Sequence, residues 1–597
     1  MTHPAPTTSE WAPAWGVTAG YEDVDHRWHD APPDTVAAVL EAMAADGPVP
    51  PGMGDDNPVW VVRAGERVRA DGRWLLTLED GAELRGDDLL PLDVPTGYHD
   101  LVLHARGDRH VRLIVSPGRC HLPAGLREWG FAVQLYALRS ADSWGLGDLA
   151  DLRTFASRAH QLGAGFALVN PLHAALPGLP QQASPYFPSS RCFANPLYLR
   201  VDEPSLRDDG RSLNSTRRIH RDAAYELKLE ALEERWSEFA GDPAFDAFVA
   251  DGGETLGGYA TFSALAELYG RPWQRWPSAV RHPTGAGIAE FAEEFTGRIR
   301  FHQWVQWLLD RQLADAEAEL PLVHDLAIGV DPAGADAWLW QDVFSLGMRV
   351  GAPPDEFNAA GQDWGLPPFD PWRLRTACFD PFIQTVRAGL RRGGGLRVDH
   401  VMGLFRLFWI PPGRGPDEGV YVRYPWQELL DILALESVRA GAYVVGEDLG
   451  TVEPVVREEL ARRHVLSTRV LWFEEDPPAA WPAESLAAVT THDLPTVAGV
   501  WTGLDSPDSM RARLVERTGL DVDAPVDEAV AAAYDAISAA PSMLVAASLD
   551  DVLEVRERPN HPGDEDRPNW SLALPVTLES IVTDPRVDRI ARELSER

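Results

Sequence analysis

Short apolar runs alternate with longer amphipathic stretches from about residue 130 to the end of the chain. Eight such runs are visible, at 131–136, 165–170, 326–330, 395–399, 442–447, 468–473, 486–491 and 543–549. Apolar runs of this length between helical stretches are typical of buried parallel strands. The pattern therefore predicts the α/β class and a (β/α)₈ TIM barrel, whose site would lie where the strands end.

Two intervals between these runs are longer than ordinary barrel connections. We predict insertions at about 171–325, rich in helical pattern at 221–239 and 299–319, and at about 331–394, rich in loops. The second insertion holds a polar, aromatic, Gly- and Pro-rich segment at 351–368. Long loops in compact enzymes are usually lids or binding elements, although a surface loop without a role is the alternative.

Residues 1–125 follow a different pattern and predict a separate β-rich module. One helical stretch at 33–45 precedes short alternating runs at 59–62, 74–78, 100–103 and 111–115. Such runs predict a small β-sandwich-like module. We therefore divide the chain into an N-terminal module, 1–125, and a catalytic barrel, 126–597.

Composition narrows the class of partner. The 597 residues carry a formal net charge of −37, from 54 basic and 91 acidic side chains. This charge disfavours nucleic acids and anionic membranes, whereas a neutral polyhydroxylated substrate is not penalised. The 22 Trp could stack on sugar rings, although most are expected to fill the core.

The cysteines and the N-terminus indicate the compartment. Three Cys without zinc-site spacing argue against a disulfide framework and for a reducing environment. The sequence shows neither a signal-peptide pattern nor an apolar run long enough to span a membrane. A cytoplasmic location is therefore expected.

Three of the apolar runs end in, or lead into, a carboxylate: Asp399, Glu447 and Asp493. If the runs are barrel strands, the three carboxylates face one mouth, where they could perform acid–base chemistry. A single carboxylate at a strand end is more often a helix cap or an ion-pair partner. Three at nearly equal spacing make coincidence less plausible.

Neighbouring residues suggest unequal roles for the first two carboxylates. Arg397 precedes Asp399 by two positions and would share its face of the strand, where it would favour the ionised form. A structural Arg–Asp pair is the alternative. Glu447 follows an apolar approach that would raise its pKa and suit a general acid. Only one of Glu447 and Asp448 can point inwards, and the pattern does not decide which.

The third carboxylate stands beside a histidine. His492 could donate a hydrogen bond to a sugar hydroxyl while Asp493 accepts one. Alternatively, Asp493 begins the next helix, since Asp-Leu-Pro-Thr resembles a helix start. A nucleophile, an acid/base and a third carboxylate that grips the ring are the requirements of retaining glycosidic chemistry.

The motifs around these residues resemble those of the amylomaltases or disproportionating enzymes. These are 4-α-glucanotransferases of glycoside hydrolase family 77, within the α-amylase superfamily. The matching segments are Leu-Arg-Val-Asp-His at 396–400, Gly-Glu-Asp-Leu-Gly-Thr at 446–451, Thr-His-Asp-Leu-Pro-Thr at 491–496, the loop at 361–368, Ser-Pro-Tyr at 184–186 and Asn-Pro-Leu at 195–197. The resemblance is to the longer bacterial type, because Leu366, Leu494 and Pro495 depart from the shorter members.

The resemblance implies roles residue by residue. Asp399 would be the nucleophile, Glu447 the acid/base and Asp493 the transition-state stabiliser. Arg397, His400 and His492 would line the donor subsite, and Asp448 would support Glu447. Contacts to the glucan chain would come from Tyr186, Asp355, Gln362 and Trp364.

The resemblance also implies an activity: transfer of α-1,4-glucan segments from a donor to the 4-hydroxyl of an acceptor glucan or glucose. Neither a metal nor an organic cofactor is expected. Two alternatives are a retaining α-glucan hydrolase of the same superfamily and a non-catalytic glucan-binding protein.

Overall fold

The computed structural model describes residues 8–23, 27–104, 107–354, 360–450, 452–505, 508–564 and 566–597. Elements are numbered in chain order. The strands are β1 Gly20–Glu22, β2 Trp28–Asp30, β3 Val59–Arg63, β4 Arg69–Thr77, β5 Glu83–Leu89, β6 Gly97–Leu103, β7 Arg109–Ser116, β8 Glu128–Val133, β9 Phe166–Val169, β10 His173–Ala174, β11 Ser190–Ala194, β12 Leu322–Leu326, β13 Arg349–Ala352, β14 Gln362–Leu366, β15 Gly395–Val398, β16 Arg406–Ile410, β17 Val420–Arg423, β18 Tyr443–Gly446, β19 Val465–Val470, β20 Ser485–Ala488 and β21 Leu544–Ser548.

The α-helices are α1 Pro33–Ala42, α2 Leu149–Gln161, α3 Arg207–Ser212, α4 Arg221–Ser237, α5 Pro243–Tyr269, α6 Ile288–Glu294, α7 Thr296–Glu317, α8 Ala335–Leu339, α9 Pro371–Thr376, α10 Asp380–Leu390, α11 Trp426–Ala440, α12 Pro454–Arg462, α13 Val497–Trp501, α14 Asp508–Thr518, α15 Val526–Ser538, α16 Leu549–Val552, α17 Leu578–Ile581 and α18 Pro585–Ser595. Within the described ranges, none of them combines the length and the apolar character that crossing a bilayer would require.

Eight parallel strands close into a barrel in chain order: β8, β9, β12, β15, β18, β19, β20 and β21. Buried apolar side chains from these strands, among them Phe166, Val323 and Val445, fill the interior. The predicted α/β class and (β/α)₈ barrel are thus confirmed.

The strand positions differ from the sequence prediction in places. The third strand was predicted at 326–330 but is Leu322–Leu326, and the sixth begins three residues earlier than predicted, at Val465. In the third strand, His324 and Asp325 interrupt the apolar run, so the strand was assigned to the apolar residues that follow it. The helical prediction for the first insertion is confirmed by α4 and α7.

The N-terminal strands form one five-stranded sheet in the order β3-β7-β6-β4-β5. This arrangement corrects the expected β-sandwich, which would have two facing sheets. One face buries its own apolar cluster, including Trp74, Leu101 and Leu113. The other face contacts barrel helix α11, so a helix takes the place of a second sheet. The division of the chain at residue 125 stays a prediction.

A second sheet, which we call the cover sheet, lies at the barrel mouth in the order β14-β13-β16-β17. It joins the predicted loop-rich insertion to residues that follow β15, a pairing that the sequence did not indicate. Its edge is extended by the start of the chain, since Val17 forms a β-bridge with Val422. The 361–368 segment therefore includes a strand, β14, that is held in place by its neighbours.

Candidate active site

Asp399 and Glu447 stand side by side immediately beyond two adjacent barrel strands. Val398 of β15 pairs with Gly446 of β18, and the amide of Glu447 donates to the carbonyl of Val398 at 3.0 Å. Neighbouring strands lie about 4.8 Å apart. The parallel register therefore places the two carboxylates in the same part of the mouth.

Arg397 links the nucleophile candidate to a further carboxylate. Its Nη1 donates to both carboxylate oxygens of Asp325, at 2.6 and 2.7 Å, and its Nη2 lies 3.1 Å from Oδ1 of Asp399. The guanidinium and the Asp325 carboxylate are both buried. Asp325 was missed by the sequence analysis because β12 was placed four residues too late; an acidic residue near the end of the run at 322–326 was the available signal.

The charge of Asp399 is set by opposing effects. Its pKa is raised to about 7, because burial and the nearby carboxylates Asp325 and Glu447 raise it by more than Arg397 lowers it. Sequence reasoning expected Arg397 to hold Asp399 ionised. The guanidinium does act in that direction, but burial outweighs it, although a fifth of the Asp399 side chain stays exposed to the cleft.

Glu447 is oriented by two backbone amides. Its Oε2 accepts from the N–H of His400 at 3.0 Å, and its Oε1 accepts from the N–H of Leu449 at 2.8 Å. His400 has a left-handed backbone with φ of 45°, which costs roughly 1–2 kcal/mol and directs its N–H at Glu447. Burial raises the pKa of Glu447, although Arg397 and these hydrogen bonds oppose the shift.

The structure places Asp448 away from the mouth, a choice that strand alternation had left open. The Asp448 side chain is buried, and its Oδ1 accepts from the amide of Thr468 on β19 at 2.8 Å. Its Oδ2 lies 3.5 Å from Nε of Arg457. Asp448 therefore ties the end of β18 to its neighbours.

His492 and Asp493 form an ion pair with Nε2 and Oδ2 3.3 Å apart. Burial alone would lower the pKa of His492, but Asp493 raises it above its usual value. Burial would raise the pKa of Asp493, but His492 and the amide of Asn560, which donates to Oδ1 at 2.7 Å, lower it. The alternative of a helix cap does not hold, because Thr496 caps α13.

Tyr186 connects this pair to Asp325 and, through it, to Arg397. Its hydroxyl donates to Oδ2 of Asp325 at 2.6 Å and lies 3.2 Å from Nδ1 of His492. The rings of Tyr186 and His492 stack with centroids 4.6 Å apart, and Trp570 packs against both. Tyr186, Asp325, Arg397 and His492 line one cavity at this end of the barrel.

The cover sheet brings an aromatic edge to the opposite side of the mouth. Trp364 on β14 meets His400 edge to face at 5.2 Å, and its Nε1 donates to Oε1 of Gln362 at 3.1 Å. Burial and the positive charge of Arg406 lower the pKa of His400 to about 4, so its imidazole is neutral at neutral pH. Asp355, the remaining predicted contact, lies outside the described residues.

Two residues near the C-terminal end of the chain, Asn560 and Trp570, also contact the His492–Asp493 pair, and the sequence alone assigned them no role. They follow no periodic pattern and reach the mouth only through the fold. Within the described ranges, no group of three or more His, Cys, Asp or Glu side chains is arranged to hold a metal ion. A carboxylate beside an arginine, a second carboxylate with a raised pKa and a third in an ion pair can together perform acid–base and nucleophilic chemistry.

Comparison with known proteins identifies the family. A family model described as 4-alpha-glucanotransferase matches residues 133–577. The 4-alpha-glucanotransferase of Mycobacterium tuberculosis is 40% identical over 99% of this chain and 98% of its own length. That of Haemophilus influenzae is 32% identical over 81% of this chain and 79% of its own.

A solved structure agrees with the sequence relatives. The amylomaltase from Corynebacterium glutamicum superposes with a TM-score of 0.84 at 30% identity, covering 98% of this chain and 99% of that one. The resemblance drawn from the motifs is thereby confirmed. The chain belongs to the 4-alpha-glucanotransferases of glycoside hydrolase family 77.

Proposed function

We propose that this 4-alpha-glucanotransferase moves α-1,4-glucan segments by a retaining double displacement in which Asp399 is the nucleophile and Glu447 the acid/base. The observation that carries the assignment is the pairing of these two carboxylates at adjacent strand ends, one beside Arg397 and the other held by the His400 amide. The retaining reaction needs two carboxyl groups about 5–5.5 Å apart. The spacing of neighbouring strands, about 4.8 Å, suits that separation.

In the first half-reaction, Asp399 attacks the anomeric carbon of the donor. The bond from that carbon to the 4-oxygen of the leaving glucan breaks as Glu447 gives its proton to that oxygen. In the second half, Glu447 takes the proton of an acceptor 4-hydroxyl, whose oxygen attacks the anomeric carbon. The ester bond to Asp399 breaks, and two inversions give net retention.

The remaining residues have supporting roles in this proposal. Asp493 accepts hydrogen bonds from the sugar ring and stabilises positive charge in the transition state, while His492, Arg397 and His400 line the donor subsite. Tyr186 orders Asp325 and His492 and presents its ring to the sugar. Gln362 and Trp364, with Asp355, contact the glucan chain, and Asp448 supports Glu447 by fixing the end of β18.

Transfer outruns hydrolysis when a bound acceptor is better placed than water. The cover sheet favours that outcome, since it brings Trp364 to His400 beside the nucleophile. Glucose, which has a free 4-hydroxyl, is proposed as an acceptor alongside longer glucans. A cytoplasmic location and the absence of a cofactor stay predictions.

Incubation with maltotriose tests the reaction. We expect glucose together with a ladder of glucans longer than the substrate. Glucose and maltose without elongation would instead identify a hydrolase. Asp399→Asn should lower kcat/KM for the ladder about 10³-fold or more, because a nucleophile is lost. Transfer that survived this change would remove Asp399 from its role.

A further inference from the structure

The β1–β2 hairpin exposes a tryptophan that takes no part in the barrel site. Trp28 is 59% exposed, whereas the indoles of Trp15, Trp276, Trp338, Trp409 and Trp472 are completely buried. A single exposed apolar side chain is common on protein surfaces, but Trp is enriched among the residues that dominate binding interfaces. What sets Trp28 apart is the way in which its exposed indole is held.

The indole of Trp28 is held in one orientation. Its Nε1 donates to Oδ1 of Asp30 at 2.8 Å. One face of the ring lies against Gly20, where an added Cβ would come within 2.7 Å of Cζ2 and 2.9 Å of Cε2. Since that face is covered by backbone, the other face is the one turned to water. A ring fixed in this way loses little conformational entropy when a ligand binds.

The opposite face of the hairpin is anchored to the cover sheet. Tyr21 pairs with His29, and their rings stack at 5.1 Å. The edge of Tyr21 meets Phe408 at 5.7 Å and Tyr421 at 5.9 Å. These contacts make the hairpin a firm support for Trp28.

Carboxylates flank the exposed ring. In the register of the hairpin, Glu22 is opposite Trp28 and Asp30 is opposite Gly20, so all four lie on one face. Carboxylate oxygens accept hydrogen bonds from hydroxyl groups. A flat apolar face bordered by such acceptors matches a pyranose ring, which has apolar faces and a hydroxyl rim. The chain's net charge of −37 favours a neutral ligand of this kind over an anionic one.

This surface is separate from the catalytic cleft. In the cover sheet, Leu407 and Trp409 belong to the apolar cluster that Trp364 packs against, whereas Phe408 alternates with them along β16 and faces the other way. Four strand steps lead from β14 to the chain segment at Val17, a distance of about 19 Å. The hairpin packs on the outer face and cannot be a subsite for the reacting bond.

We propose that Trp28, with Glu22 and Asp30, is a surface site for α-1,4-glucan that holds long polymeric substrates against the enzyme outside the cleft. The choice of ligand rests on the proposed function. A chain held at this site raises the local concentration of donor and acceptor ends near the mouth. The benefit applies only to glucans long enough to occupy both places.

Native electrophoresis of the full-length protein in gels that contain amylopectin tests the proposal. We expect the wild type to be retarded, Trp28→Ala to need at least fivefold more polysaccharide for the same retardation, and Trp28→Phe to be intermediate. Leu89→Ala, which removes another exposed apolar side chain, 55% exposed, is the control and should match the wild type. Kinetics should show kcat/KM for amylose at least threefold lower in Trp28→Ala, with maltotriose unchanged within twofold.

Equal retardation of the wild type and Trp28→Ala would overturn the proposal, as would an equal loss of activity on amylose and maltotriose. Sedimentation would reveal a third outcome, also contrary: a dimer that Trp28→Ala dissociates without changing retardation. The proposed function is judged separately, because elongation of maltotriose does not depend on this surface.

Discussion

At the scale of single residues, the site works through carboxylates whose environments pull their pKa values in different directions. The pKa of Asp493 is lowered by its histidine and asparagine partners, whereas burial raises the pKa values of Asp399 and Glu447. The Glu447 carboxylate also raises the pKa of Asp399, so the two groups do not titrate independently. The proposed reaction needs an ionised nucleophile and a protonated acid in the same complex. Arg397 lowers the pKa of Asp399 and Asp325 raises it, so these two neighbours help to determine whether Asp399 is ionised.

Asp325→Asn is expected to move the acidic limb of the kcat/KM–pH profile to lower pH. In the proposed mechanism the ionised Asp399 is the reactive form, so we expect the rate to fall as the pH drops through its pKa of about 7. Removing the negative charge of Asp325 stabilises ionised Asp399 and leaves Arg397 free to pair with it more closely. We also expect a lower kcat, because the amide that replaces the carboxylate offers Tyr186 and Arg397 one acceptor oxygen instead of two.

Maltotriose disproportionation measured from pH 4.5 to 9 gives this profile. Asp363→Asn, whose carboxylate pairs with Arg349 on the cover sheet, is the control and should leave the limb in place. An acidic limb that stays fixed or moves upwards in Asp325→Asn would contradict the expected coupling.

Glu447→Gln should distinguish an acid from an electrostatic role. General acid–base catalysis is worth roughly 10²–10⁴-fold, so we expect a loss of that size on maltotriose. On a glycosyl fluoride, whose leaving group needs little protonation, the loss should be under tenfold. Asp448→Asn, which keeps the acceptor for the Thr468 amide, should lose under tenfold on both donors. Equal losses of Glu447→Gln on both donors would argue against the acid.

At the scale of elements, the sequence predicted those parts of the site that lie on uninterrupted strands. β18 is apolar up to its end and β15 is interrupted only by Arg397, so both strands were recognised and the carboxylates that follow them, Asp399 and Glu447, were identified as candidates. β12 was misplaced, because two polar residues occupy its third and fourth positions; one of them, Asp325, pairs with Arg397 at the mouth. Asn560 and Trp570 reach the mouth from a polar tail, and no local pattern encodes a contact across the fold.

The N-terminal sheet packs against helix α11, which is followed in the chain by β18 and Glu447. The Tyr98 hydroxyl donates to Oε1 of Glu436 at 2.6 Å, and Arg387 donates to both oxygens of that carboxylate, at 2.9 and 3.0 Å. The guanidiniums of Arg112, Arg387 and Arg439 lie over the Tyr98 ring. This cluster fastens the sheet to the barrel.

Tyr98→Phe is expected to lower the free energy of unfolding by about 1.5–3 kcal/mol, the range for a hydrogen bond to a charged group. Urea denaturation followed by fluorescence measures the change. Tyr269→Phe, at an exposed position, is the control and should stay within about 0.5 kcal/mol of the wild type. An unchanged midpoint for Tyr98→Phe would mean that the hydroxyl adds nothing to docking.

At the scale of the whole molecule, the net charge of −37 acts on stability rather than on substrate capture. Like charges repel one another in the compact state, and salt screens that repulsion over about 10 Å at 0.1 M. A neutral glucan gains nothing from electrostatic steering. We therefore expect the net charge of the protein to have little effect on the rate of the reaction.

Raising NaCl from 20 to 300 mM should accordingly increase the Tm while changing kcat/KM for maltotriose by less than twofold. Differential scanning calorimetry and product assays at the same salt concentrations measure both quantities. A steep fall of kcat/KM with salt would instead reveal a charged step in binding, and an unchanged Tm would show that the repulsion is already balanced by local ion pairs.

The chain's first residues complete a sheet whose other strands come much later in the sequence. The hydroxyl of Thr18 donates to the carbonyl of Tyr421, 403 residues away, and Val17 bridges Val422. At a synthesis rate of roughly 5–20 residues per second, the earliest segment waits about 20–80 s for its partner to leave the ribosome. During that interval Trp15 and Val17, buried in the finished protein, lack the residues of their core that are made later, such as Trp409 and Val422. The apolar segment at Trp15 and Val17 is therefore incompletely covered until the residues around Val422 have been made, and we expect chaperones that bind nascent chains to recognise it.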